Sequence, residues 1–322
     1  MKQSKWSWKY RVVGLSFFLG CQAAIAPRAG AQIPLENFSK HPPGKQAVPF
    51  MPDFFEREGQ GHRFGTAISD DGKELYFAVA FNDRGRFREE IRVARYVDNH
   101  WTKSEPLLDE SIHKYVDPHF SPDGQRLYFI YTRPLEKSRK RAPFDIWYVN
   151  RSGDRWSEPI NVGSPVSAPE ADDYYVSLTA EKTIYFGSNR GDAGNFELYR
   201  STLGADGKYR APEVLLGEVN TKHYEADVFV AQDESYLIFS SSGRKDGAGD
   251  GDLYVSFRGE DGAWGAGINW GSGINMGSGI NSSGNDFAPS VSRDGKFLFY
   301  SRGGVIHWCD SKVIQDLRGS SH

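Results

Sequence analysis

Five arginines recur at matched places along this chain, each just after a short run rich in Leu, Tyr and Phe: Arg84, Arg133, Arg190, Arg244 and Arg302. Carboxylates recur as well. Asp117, Asp173 and Asp227 stand four residues ahead of a Ser or Ala, and Glu225 and Asp286 occupy a second recurring place two residues earlier. Arginines and acids repeated around one mouth would hold a polar ligand, a peptide tail or a cation through charge-assisted hydrogen bonds. The competing reading is intramolecular. Glu90, Asp145, Glu197 and Asp252 open a later run in four units. An arginine that begins a loop can pair with a carboxylate that ends it, and such a pair recurs because the unit recurs. The fifth unit has Val305 at that place, so Arg302 is expected to be the arginine most open to a ligand.

Other chemistry is sparse. There is no Gly-x-Ser-x-Gly elbow for a hydrolase nucleophile. His62, His113, His119, His223 and His307 fall in different units without metal-ligand spacing. Asp246–Asp252 is calcium-like in composition but lacks the twelve-residue loop and terminal Glu of an EF-hand. Gly247-Ala248-Gly249 does not lead from a strand into a helix, which argues against a dinucleotide. No catalytic residue, metal or cofactor is expected.

The elements that would position these groups repeat. Ala67-Ile68-Ser69-Asp70-Asp71-Gly72 leads into Leu75-Tyr76-Phe77, and His119-Phe120-Ser121-Pro122-Asp123-Gly124 into Leu127-Tyr128-Phe129. Weaker copies end at Phe186 and Phe239, and a clear one, through Asp294-Gly295, at Tyr300. Asp-Gly between apolar runs marks a hairpin, because Gly takes positive φ without a Cβ clash. The third and fourth units lack the Gly, which suggests a different turn there. Each unit adds a third strand, such as Ile146–Val149. Fourth strands are expected at His100–Pro106, Arg155–Pro159, Tyr209–Pro212 and Ala263–Gly265, where proline suits an outer edge.

Four antiparallel strands in each of five units spell an all-β, five-bladed β-propeller, with six blades as the alternative. The last unit stops after three strands. Lys45–Phe50 is placed to supply its fourth, closing the ring by an N-terminal strand and removing the open edge. Aromatic residues at 14% and 35 glycines agree with strands and tight turns.

Ser121-Pro122-Asp123-Gly124 before Leu127-Tyr128-Phe129, with Ser188-Asn189-Arg190-Gly191, Trp156-Ser157-Glu158-Pro159 and Asp252-Leu253-Tyr254, resembles the TolB-type, WD-like repeat of bacterial envelope propellers. The resemblance covers residues 62–318. It implies a periplasmic or secreted binding protein, or an accessory propeller of a hydrolase or lyase. TolB itself has six such blades.

The first 31 residues carry five basic residues and no acid, an apolar stretch over 12–26 and then Ala29-Gly30-Ala31. That is the order of a secretory signal peptide cleaved after Ala31. Phe18-Leu19-Gly20-Cys21 is a poorer match to a lipoprotein signal. Removing this segment moves the formal charge from −3 to −8, which argues against nucleic acid. No later run is apolar enough to cross a membrane. The expected organisation is a signal over 1–31, a closing segment over 32–61, the propeller over 62–318 and a tail over 319–322. Ile268–Gly284 repeats a six-residue motif and lengthens a loop on the arginine face. The expected function is a monomeric binding module whose charged funnel, lined by the arginines with Asp117, Asp173, Asp227 and Asp286, meets an envelope protein or glycan. The alternative is a carbohydrate-active lyase or glycosidase.

Overall fold

A computed structural model describes residues 33–135, 143–191, 195–269 and 279–319. The signal-like segment and residues 270–278 of the repeated loop, including Trp270 and Met276, lie outside the described residues. Five antiparallel sheets form five blades. The strands nearest the axis are His62–Ile68, Tyr115–Phe120, Asp173–Leu178, Tyr224–Val230 and Asp286–Val291. Each pairs with a second strand, and that with a third, as the repeats require. The outer strands are only two residues long, and two lie later than expected. Blade three ends with Glu213–Val214 and blade four with Ile268–Asn269, whereas Tyr209 and Trp264 make only isolated bridges.

The ring closes as the missing fourth strand requires. Val48 pairs with Trp308 and Pro49 with His307, and Phe50 buries its ring 5.1 Å from both Phe299 and Trp308. Proline is tolerated on this edge because its absent N–H would face no partner. No sixth blade forms among the described residues. The residues around the closing strand instead build a short helix, Pro52–Arg57, whose Phe54 and Phe55 pack on Phe77 of blade one. A second helix, Lys312–Gly319, seats Val313, Ile314 and Leu317 in the core shared by blades four and five. No described helix is long and apolar enough to cross a membrane.

All five blades use the same first turn, contrary to the expectation for blades three and four. The amide of Gly72, Gly124, Lys182, Glu234 or Gly295 donates to the carbonyl three residues back. All five residues sit at φ of 57–72°. In blades one, two and five the leading serine (Ser69, Ser121, Ser292) donates to the Asp two residues on and accepts the amide that restarts the chain. A non-glycine residue at positive φ costs about 1–2 kcal/mol. Lys182→Gly therefore raises unfolding free energy by about 1 kcal/mol and the melting midpoint by roughly 2 °C. The exposed Lys182–Asp123 pair lost in the exchange is worth little. Calorimetry of the two forms checks this, and a less stable variant would contradict it.

Candidate functional site

The inner strands share one irregularity that shapes the axis. Each is bulged, with register breaks at Phe64/Thr66, Val116/His119, Tyr174/Ser177, Ala226/Phe229 and Phe287/Ser290. At each break one residue adopts the left-handed conformation: Gly65, Asp117, Tyr175, Asp227 and Ala288, at φ of 50–58°. These are the equivalent positions of the five blades. Asp173 is not among them. Thr179, not Ser177, opens the turn of blade three, so Asp173 shares its place with Glu225 and Asp286, and Tyr175 stands where Asp117 and Asp227 stand.

That second place is where the arginines go. Arg190 meets Asp173 at 2.6 Å, Arg244 meets Glu225 at 3.0 Å and Arg302 meets Asp286 at 2.7 Å, each carboxylate being fully buried. The same guanidiniums donate to the carbonyls of Val166, Val219 and Ile280, and the same carboxylates accept the amides of Ala168, Thr221 and Ser282. Each pair thus clamps the loop that enters its own blade. Phe186, Phe239 and Tyr300 lie under the three guanidiniums at 4.9–5.4 Å. The pairing is intramolecular, but not with the acids expected. Glu90 pairs with Arg88 and Arg92, Glu197 accepts from Tyr199, and Asp252 accepts the amides of Ala248 and Gly249. Arg302 is held like its counterparts rather than being the most available. Arg84 sits at an exposed hairpin tip, and Arg133 is exposed beside Tyr131. In blade two, Tyr115 takes the acid's place and ties its hydroxyl to Leu108 O at 3.2 Å.

The axis residues are different. Asp117 is 8% exposed and among the described residues no donor reaches its carboxylate, whereas Asp227 accepts from Ser240 Oγ at 3.0 Å and from the Ala288 amide at 3.3 Å. Burial drives the Asp117 carboxyl well above the usual carboxylate range, and the Asp227 charge adds to the effect. Asp227 is raised by burial too, against those two hydrogen bonds. Tyr175 reaches from blade three to Pro289 O of blade five at 2.8 Å, a bar across the channel. On the side where the inner strands begin, which we call the mouth, an aromatic run extends over blades two to four. Phe144 stacks on Tyr174 at 4.6 Å, Tyr174 meets Phe196 at 5.3 Å, and Phe196 meets Tyr224 at 5.2 Å.

On the opposite face, a cavity of about 640 Å³ is lined by His119, Leu178, Phe229 and Arg293. Two residues past the bulge, side chains lace the ring. His119 Nε2 accepts the Leu178 amide at 3.3 Å, Ser177 accepts the Val230 amide at 3.0 Å, and Ser290 donates to Thr66 O at 3.0 Å. Among the described residues no group of three or more His, Cys, Asp or Glu side chains is placed to hold a metal.

No protein-family model and no curated protein matches the chain. Solved structures that resemble it include a puromycin-hydrolysing peptidase from Mycobacterium tuberculosis, with a TM-score of 0.44 and 14% identity over 73% of this chain and 34% of that one. They also include a β-1,2-mannobiose phosphorylase from Listeria innocua (0.48, 10% identity, 80% and 91%) and a GH43 endo-arabinanase from Bacillus licheniformis (0.46, 10% identity, 77% and 92%). This chain spans about a third of the peptidase's length.

Arg244→Ala strands the buried Glu225 and lowers unfolding free energy by about 3–5 kcal/mol in urea, and adding Glu225→Ala costs less than the sum of the two; a loss under 1 kcal/mol would contradict the clamp. His119 titrates at about 4, lowered from 6.5 by burial and then by Arg293. The unfolded chain therefore binds the extra proton between pH 6.5 and 4, so this residue removes stability on acidification. Over that window the wild type loses about 2–3 kcal/mol relative to His119→Gln. A pH-independent difference between the two would refute a neutral, half-buried His119.

Proposed function

We propose that this chain is an envelope binding module whose ligand meets the mouth of the ring. The observation that carries the reading is the half-exposed aromatic run Phe144–Tyr174–Phe196–Tyr224 above the buried axis carboxylates. Aromatic faces beside buried polar groups are what a recognition surface needs. The clamped arginines hold its walls and do not touch the ligand. The basic, apolar and Ala29-Gly30-Ala31 order of the N-terminus supports export to the periplasm or beyond, and the repeat residues support kinship with TolB-type envelope propellers. The partner is an envelope protein or glycan.

The test presents the full chain to a glycan array and to a cross-linked envelope fraction, beside two variants. Tyr224→Ala/Phe196→Ala alters the mouth. Leu216→Ala alters a 75%-exposed site outside the aromatic run. The mouth variant is expected to lose at least tenfold in whatever the wild type retains, and Leu216→Ala to lose nothing. Equal retention by wild type and mouth variant would overturn the reading.

A further inference from the structure

The face opposite the mouth carries a site of its own. Its cavity of about 640 Å³ falls within the roughly 300–1,000 Å³ of small-molecule pockets. All five inner strands contribute to the wall, through Ala67, His119, Leu178, Phe229 and Val291. Pro289, which accepts the Tyr175 hydroxyl, immediately precedes Ser290 of that wall, so the cavity lies on the turn side of the bar. Two further pieces complete it. Ile314 of the helix Lys312–Gly319 faces it from one side. Arg293 of blade five crosses to the Ser121 and Pro122 carbonyls of blade two and pairs with Asp70 of blade one, which fixes the rim.

The charges of this wall are already met. Two cations and two acids line the cavity, and each has a partner. Arg293 is paired with Asp70, and Lys312 with Asp310 at 3.4 Å. Asp233 accepts the Ser235 amide at 3.0 Å and hydroxyl at 2.7 Å, and Asp294 accepts the Ser292 hydroxyl at 2.6 Å and the Ile33 amide at 3.2 Å. A charged ligand would give up its hydration here without gaining a free counter-charge.

One donor is left over. His119 Nε2 accepts the Leu178 amide at 3.3 Å, so the neutral ring carries its proton on Nδ1. Among the described residues Nδ1 meets no acceptor. The same ring lies 6.4 Å from Phe229, and Phe229 lies 6.3 Å from Tyr236, all three in the cavity wall. A continuous aromatic face thus ends on an unengaged N–H, which suits a flat ring bearing one oxygen acceptor.

We propose that this cavity binds an uncharged aromatic molecule with a carbonyl oxygen. The oxygen accepts from His119 Nδ1, and the ring of the ligand packs on Phe229 and Tyr236. The site is separate from the mouth and does not rest on the reading of it.

Fluorescence titration of the full chain with the ketone 6-propionyl-2-(dimethylamino)naphthalene tests it, followed by displacement with 2-acetylnaphthalene, 2-ethylnaphthalene and 2-naphthoate. The fluorescent ketone is expected to bind saturably, one per chain, and 2-naphthoate to displace it at least tenfold less readily than 2-acetylnaphthalene. Val291→Trp, which fills the cavity from a half-buried position, is expected to weaken ketone binding at least tenfold. His119→Phe is expected to lower the ratio of 2-acetylnaphthalene to 2-ethylnaphthalene affinity at least fivefold, a change that loosened packing alone would not produce. Near-ultraviolet circular dichroism checks that both variants are folded, and the naphthoate comparison needs no variant. The Tyr224→Ala/Phe196→Ala variant is expected to bind the ketone like the wild type. No saturable binding, naphthoate binding as tight as the ketone, undiminished affinity in folded Val291→Trp, or an unchanged ratio in folded His119→Phe would each overturn the proposal.

Discussion

The left-handed residue at the bulge of each inner strand is the constraint on which the rest of this propeller depends. Five strands converge on one axis, and each must bend before it meets its neighbours. A bulge supplies the bend by inserting one residue that the partner strand does not match. Gly65, Asp117, Tyr175, Asp227 and Ala288 are those residues. Glycine alone adopts such a conformation freely, and Asp is among the better tolerated of the others. Four of the five positions accept the cost. The bend carries Tyr175 across to Pro289 O of blade five, and it sets His119, Ser177 and Ser290 to bond the next blade two residues later.

Charge is sorted by this geometry. At the wall of the mouth, Asp173, Glu225 and Asp286 are buried but met by arginine and by loop amides, so they stabilise the entry of blades three, four and five. At the axis, Asp117 has neither. The two sets stand only two residues apart in the repeat, yet one closes its electrostatics within the blade and the other leaves it open. A left-handed backbone and a buried carboxyl without a hydrogen-bond donor thus coincide at Asp117.

Much of this was legible in the sequence. The Asp-Gly turns of three units and the closing aromatics at residues 77, 129, 186, 239 and 300 define the five units because hairpin chemistry is local, and the missing fourth strand after Trp308 points to the closing segment. What the repeat could not show depends on contacts between distant residues. Lys182 and Glu234 occupy glycine's place only because the surrounding strands hold the turn. Ser177 imitates the serine that opens other turns and shifts Asp173 by two residues, which hides Tyr175. The partner of Arg190 is 17 residues away across a bulge that no periodicity reveals. The helices at Pro52–Arg57 and Lys312–Gly319 are too short for a helical period to stand out, although Val313, Ile314 and Leu317 carry the spacing of one buried face.

The central claim is that the axis holds a carboxylate against the interest of the fold, and urea unfolding of the wild type and Asp117→Asn across pH tests it most directly. Asp117 has its folded proton affinity raised, so the cost of its charge is greatest at high pH and fades as pH falls through the folded value toward the unfolded one. The account predicts that Asp117→Asn is the more stable protein at pH 8 and that its advantage shrinks steadily on acidification. An Asn variant less stable than the wild type at pH 8 would contradict it, because the carboxylate would then be a satisfied structural group.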